Sequence, residues 1–133
     1  MKSDIEIEDE LYRIVKQSQL STEIDGDIYK GPYERPDGSD SEDIEIIVIA
    51  NQNAEIQLCT VNVNIYVKDI LIDGQYRKNN QRLRELSSMS KEILETINQD
   101  GYRINLDSQR VLKEGQVNQH MICNKLNYKF YNP

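Results

Sequence analysis

Apolar and polar side chains alternate from Cys59 to Val67, and that pattern demands a sheet with one covered and one open face. Cys59, Val61, Val63, Ile65 and Val67 fall on the buried side, and Thr60, Asn62, Asn64 and Tyr66 on the other. The polar side carries amides and hydroxyls instead of charge, which suits contact with a protein neighbour as well as with water. No catalytic group lies nearby in the sequence.

The chain has 133 residues, enough for one core and too few for two. Leu, Ile, Val and Phe contribute 35 of them, which lifts the chain out of the disordered range. Trp is absent and Phe130 is the only Phe, so isoleucines and eight tyrosines carry the packing of a thin core. Cys59 and Cys123 both lie in apolar, strand-like runs. Two free thiols in a reducing cytoplasm, without a leader segment, is the expected state, and a disulfide requires those strands to be neighbours. No apolar run approaches the ~18–20 residues needed to cross a bilayer.

The net charge of −7 is unevenly spread. Residues 1–45 hold 14 Asp and Glu against 5 Lys and Arg, whereas residues 46–133 hold 9 against 11. The acidic total argues against general nucleic-acid binding, and no sequence-specific nucleic-acid partner is expected. The split favours head-to-tail contact between copies, with solvated acidic loops as the alternative.

Ser3 and Glu6 have capping-box spacing, and Ile7, Leu11, Ile14, Val15 and Ser18 follow at helical intervals, predicting a helix over 4–18. A short strand surrounds Ile28. Residues 31–43 hold two prolines, two glycines and no aliphatic residue, a long acidic loop. Residues 44–68 read as a long hairpin that projects from the main sheet, with a bulge near Cys59 and Thr60 where the apolar phase slips. Residues 69–76 read as a connection turning at Asp73-Gly74. Leu83, Leu86, Ser90, Ile93, Leu94 and Ile97 form the stripe of a second helix over 77–98, and short strands fill 101–131. The expected fold is α+β, a mainly antiparallel sheet with two helices on one face in the order α-β-β-β-α-β-β.

Candidate chemistry is sparse. His120 is the only histidine, which rules out His-based triads and His-rich metal sites, and the cysteine spacing does not suit zinc. Asp37, Asp40, Glu42 and Asp43 have the oxygen ligands calcium or magnesium would take, but not an EF-hand spacing; a solvated or intersubunit loop is the preferred reading. Asp25 and Asp27 with Glu55 could be imagined as a nuclease-like metal site, but turn formation and strand-end solvation is the preferred reading. No cofactor is expected. Arg77, Lys78, Arg82 and Arg84 make a basic start to the second helix, unfavourable for its dipole, which suggests an acidic partner, the acidic loop of a neighbouring copy ahead of a phosphate backbone, with a simply solvated helix surface as the alternative.

The order of elements resembles the tail-completion, or tail-terminator, proteins of long-tailed bacteriophages, and is similar in kind to small tail and neck proteins of phages and prophages of gut Bacteroides-like hosts. It is carried by Leu11-Tyr12-Arg13-Ile14-Val15, Ile24 to Gly31, Arg35-Pro36-Asp37-Gly38-Ser39, Glu42 to Ile46, Val61 to Val67 and Asn80-Gln81-Arg82-Leu83. The resemblance implies a virion protein without catalysis: a ring of about six copies closing the tail tube and meeting the head-side connector. DNA would pass through the ring, and assembly would take place in the host cytoplasm. Expected contact residues are Tyr33, Arg35, Asp37, Asp40, Glu42, Asp43, Asn62, Asn64, Tyr66, Arg77, Lys78, Arg82 and Arg84, with the acidic loop meeting the basic helix start of the next copy. The alternatives are a head-closure protein of the neck and a host module that neutralises a basic enzyme.

Overall fold

The computed structural model describes residues 1–99, 101–115 and 117–131. Ser3 caps helix α1 (Asp4–Lys16): its hydroxyl accepts from the Glu6 amide at 3.2 Å while the Glu6 carboxylate reaches back to the Ser3 amide. Ile7, Leu11 and Val15 make the buried stripe. The chain then breaks at Ser18 and forms a second short helix, α2 (Gln19–Glu23), which buries Leu20 and which the helical periodicity did not announce.

Strands β1 (Ile28–Lys30), β2 (Ile44–Gln52) and β3 (Ile56–Lys68) follow, then a separate ribbon of β4 (Ile70–Ile72) and β5 (Gln75–Arg77). Helix α3 (Asn80–Leu94) leads into β6 (Thr96–Gln99), β7 (Tyr102–Lys113) and β8 (Gln119–Tyr131). The main sheet is curled, six-stranded and mostly antiparallel, in the order β1-β2-β3-β8-β7-β6. Among the described residues only β1 and β2 pair in parallel. A parallel pair needs a crossover of a dozen or so residues, and residues 31–43 are that crossover, which accounts for their length.

Both large helices cover the same face. Ser90 of α3 contacts Asn124 and Glu10 of α1 contacts Tyr128, two even-numbered residues of β8 whose partners across the ladder include Val63 and Cys59. The core is this layer: Val61, Val63, Ile65, Ile122, Leu126 and Tyr128 beneath Ile7, Leu11, Leu86 and Leu94. Asn124 is fully buried within it, donating to the Val63 carbonyl at 3.2 Å and accepting from Gln109 at 2.8 Å, while Gln109 also donates to the Ser87 carbonyl at 3.0 Å. Asn124→Ala takes from the buried layer under α3 the acceptor of Gln109 and a donor to Val63, so urea unfolding is expected to report a loss of about 2 kcal/mol.

Several expectations are corrected. The α+β class and mainly antiparallel sheet stand, but the described residues form three helices and a second, two-stranded sheet. The segment 77–98 is not one helix: Arg77 ends β5, Asn79 caps α3 by accepting from the Arg82 amide at 3.1 Å, and Ile97 belongs to β6. The hairpin 44–68 does not project, because β3 pairs with β8 along its whole length, from Ile56 opposite Tyr131 to Lys68 opposite Gln119. The irregularity foreseen in β3 lies in β2, where Ile49 is the extra residue between Val48 and Ala50. Strand β3 keeps its phase, with Gln57 buried on the core side and Ile56 and Leu58 left on the open side. The two short strands expected over 102–112 are one, with Asp107 as the extra residue. Cys59 and Cys123 are free thiols; one faces the core and the other the open side, so neighbouring strands do not bring their sulfurs together.

Candidate functional site

The open face of the sheet is the candidate site. It gathers the second set of alternating side chains: Ile47 and Ile49 from β2, Thr60, Asn62, Asn64 and Tyr66 from β3, and Cys123, Lys125 and Lys129 from β8. Among the described residues no helix covers it. Residues 31–43 instead fold across the part of this face where β2 begins, and a cleft of about 390 Å³ lies between them and a floor that includes Glu45, Ile47, Tyr66 and Gln119.

Asp43 is the fastening point of that crossover. Its buried carboxylate accepts from Ser39 Oγ at 2.6 Å, Arg35 Nε at 2.8 Å and the Asp27 amide at 3.0 Å. Burial pushes this carboxyl up, but the hydrogen bonds from Ser39, the Asp27 amide and Arg35 outweigh it and hold the group below its ordinary value. Arg35 donates further to the carbonyls of Ser39 and Ser41 and to Gln119, and its guanidinium lies 3.8 Å from the centre of the Tyr66 ring. Tyr66 donates to the buried Glu45, and burial followed by that carboxylate raises its phenol far above the usual range. Gly26 closes the arrangement from below: a Cβ there would meet the Asp43 carboxylate at 2.1 Å and the Glu42 carbonyl at 2.6 Å.

The expected contact residues separate into three groups. Arg35, Asp43, Tyr66 and Asn64 are buried or half-buried parts of the folded subunit, and Asn64 Oδ1 is the buried side-chain oxygen that lacks a hydrogen-bond partner among the described residues. Glu42 and Arg82 pair with each other inside one chain, at 2.6 Å and 2.7 Å, and Arg82 also holds Glu23 and Glu85. Those carboxylates, Glu42 first, raise its guanidinium further despite burial. Asp40 meets Lys68 at 3.2 Å. The acid-to-base contact foreseen between copies is therefore made within the subunit for these residues. Tyr33, at 97% exposure and with a left-handed φ of 68°, together with Asp37, Lys78 and Arg84, stands in solvent, and Asn62 is half-buried on the open face. Arg77 lies on the ribbon.

Two features escaped the sequence reading. Arg103 and Arg110 of β7 join Lys125 and Lys129 of β8 on the open face, making it basic in a protein of net charge −7. No ion pair among the described residues holds Arg110 or Lys129. On the opposite side Asp4, Glu8 and Asp9 of α1 crowd with Glu34; burial first, then Asp4 and Asp9, raises the Glu8 carboxyl, with Lys30 opposing. The other feature is the ribbon itself, Ile70-Leu71-Ile72-Asp73-Gly74-Gln75-Tyr76-Arg77. A two-residue Asp-Gly turn between apolar runs is a hairpin signal, and Asp73 and Gly74 both adopt the positive φ that such a turn requires.

Among the described residues no group of three or more His, Cys, Asp or Glu is placed to hold a metal, and no helix is long and apolar enough to cross a membrane. His120 pairs through Nδ1 with Asp69 at 2.7 Å. A scan against protein-family models finds no match for this chain, and a search of curated proteins finds no relative.

Proposed function

We propose that this chain is a structural subunit that closes into a ring with copies of itself, and that the ring ends a phage tail and meets the head-side connector. The observation that carries this reading is the electrical division of the molecule. Its open sheet face is basic and, beyond the crossover at one end, left open, while acidic groups crowd on the α1 side. Two complementary surfaces on opposite sides of one subunit favour a heterologous contact, the geometry that generates rings. The position at the end of a tail, the tail-tube and connector partners, the virion location and a ring of about six copies come from the family resemblance alone.

The neck, or head-closure, position would use the same surfaces, and location in the particle separates the two. A host module that grips a basic enzyme through its acidic loop is disfavoured by a specific arrangement: Asp40, Glu42 and Asp43 are already engaged by Lys68, Arg82 and Arg35.

Size-exclusion chromatography with light scattering tests the reading. Association is expected in dilute salt and should weaken towards 1 M, where screening shortens from roughly 10 Å at 0.1 M to about 3 Å. Negatively stained images of the assembled fraction should show closed rings. A strict monomer at high concentration in every salt would refute the proposal.

A further inference from the structure

Strand β7 is longer than the strand that borders it. β6 pairs only with residues 102–105, and the Leu106 amide donates to the Glu95 carbonyl at 3.2 Å. Beyond that point the outer edge of β7 is free: among the described residues, no backbone hydrogen bond outside the β7–β8 ladder engages residues 107–113. After the extra residue Asp107, Gln109 stands opposite Asn124 and Val111 opposite Ile122, in the phase that Leu106 has opposite Leu126. Gln109, Val111 and Lys113 therefore turn their amides and carbonyls outward, as Leu106 does. Val111 lies on the core side yet is 42% exposed. An open row of amides and carbonyls is a template for another strand.

The opposite border of the sheet, β1, matches that edge in level, direction and charge. The Asp27 carbonyl accepts from the Ile44 amide at 2.9 Å and the Gly31 amide donates to the Ile46 carbonyl at 2.7 Å, so odd-numbered residues face β2 while Ile28 and Lys30 face out. Across the ladders Ile28 lies level with Val111, through Ile44, Ile65 and Ile122, and Lys30 level with Gln109, through Ile46, Val63 and Asn124. The same ladders make β1 antiparallel to β7. Ser87 of α3 lies against Gln109, and Arg84 and Lys91, one turn to either side of Ser87, are exposed on that border with Arg110. No ion pair among the described residues holds Arg84, Lys91 or Arg110. The β1 border is acidic: the Glu8 carboxylate lies beside Gly31, Asp9 holds Lys30 at 2.9 Å, and Glu34 is close to Glu8.

We infer that β1 of one copy adds antiparallel to the free edge of β7 in the next, Ile28 opposite Val111 and Lys30 opposite Gln109, so that the sheet runs on from subunit to subunit. The helices then stay on one side of the continued sheet, and the acidic α1 border of one copy comes beside the basic α3 border of its neighbour. Two different edges are joined, so the contact is heterologous and repeats from copy to copy. This rests on the ring reading above and names the backbone contact that fixes its geometry.

Hydrogen exchange on the unsubstituted chain tests this without altering the fold. In the assembled fraction, peptides spanning 27–31 and 108–113 should exchange roughly tenfold or more slowly than in the dilute monomer. An assembled fraction in which both exchange as fast as in the monomer overturns the edge pairing and leaves the ring reading intact. Proline gives a second arm, because it removes an outward amide that serves no ladder within the chain, and edge positions tolerate it. Val111→Pro disables the β7 edge and Lys30→Pro the β1 edge, and both variants are expected to keep the circular dichroism of the unsubstituted chain. Alone, each should run as a monomer, with the apparent dissociation constant raised by roughly tenfold or more, the ratio carried by one hydrogen bond. Mixed in equal amounts, they should form one-to-one dimers and nothing larger, since each contributes the edge the other lacks. A folded Val111→Pro chain that assembles like the unsubstituted protein, or a mixture of the two folded variants that gives no dimer, likewise overturns the pairing. An unsubstituted chain that stays monomeric at every concentration and salt overturns both readings.

Discussion

Asp43→Ala is expected to lower the unfolding free energy by about 3–5 kcal/mol, the cost of stripping one partner from a buried ion pair. The substitution leaves Arg35 over the Tyr66 ring with its charge unanswered, and it orphans the Asp27 amide and the Ser39 hydroxyl. The consequence is local as well as global. Residues 31–43 cross the open face because Asp43 and Arg35 hold them there, so their amides should exchange freely and a protease should cut them first in the variant. Replacing both charges, Arg35→Met with Asp43→Leu, removes the unanswered charge along with the pair and should restore part of the loss. Acid should act in the same direction as Asp43→Ala. Because the folded-state carboxyl sits below its ordinary value, its contribution is complete above the unfolded value of about 3.9 and fades as pH falls through the folded one. Urea midpoints measured downward from pH 6 should fall less steeply for Asp43→Ala than for the unsubstituted chain.

What the sequence revealed and what it hid divide along a physical line. Strand β3 was legible because one side of it meets a continuous core, so its alternation survives from Cys59 to Val67. Helix α1 was legible because its start is determined by two residues three apart. Features that depend on which distant segments become neighbours were not. Residues 31–43 looked like an acidic loop seeking a partner, yet their length follows from the parallel pairing of β1 with β2, and the charges of Asp43, Asp40 and Glu42 are answered by Arg35, Lys68 and Arg82. Glu42 and Arg82 lie forty positions apart, a separation that charge counting cannot bridge. Ile97 misled for a different reason: its spacing from Leu94 and Ile93 suits a helix, but it also suits a strand that pairs with Ile104. The basic open face could have been read from β8, where Lys125 and Lys129 occupy the phase opposite to Leu126 and Tyr128. That reading needs β8 to be a central strand with both faces accounted for, which only the topology shows.

Tyr128→Ala should cost about 3–5 kcal/mol, the range for removing a fully buried aromatic ring. Tyr128 is the largest side chain fully enclosed in the core, and its ring stacks on Tyr102 with centroids 5.3 Å apart. Its hydroxyl donates to Glu10 of α1 and accepts from Lys2 at 2.7 Å. Lys2 lies over this aromatic group, 4.6 Å from the Tyr102 ring centre and 4.4 Å from that of Phe130, and its own amide donates to the buried Gln57 at 2.9 Å. The ring therefore fastens the beginning of α1 to the end of β8. Tyr128→Phe separates volume from polarity: Glu10 and Lys2 keep each other, so the loss should be only about 1 kcal/mol. Alkali provides an independent check. Burial, then Glu10, raises the Tyr128 phenol far above its ordinary value of 10, and Tyr66 is raised in the same way by burial and Glu45. The folded state keeps protons that the unfolded chain gives up, so stability is complete below pH 10 and is lost as pH climbs beyond it. Tyr128→Phe removes one of those two groups, and its urea midpoint should fall less between pH 9 and 11 than that of the unsubstituted chain. Equal falls would mean that the Tyr128 phenol ionises as readily folded as unfolded, and that the Lys2, Glu10 and Tyr128 contact does not fasten the helix.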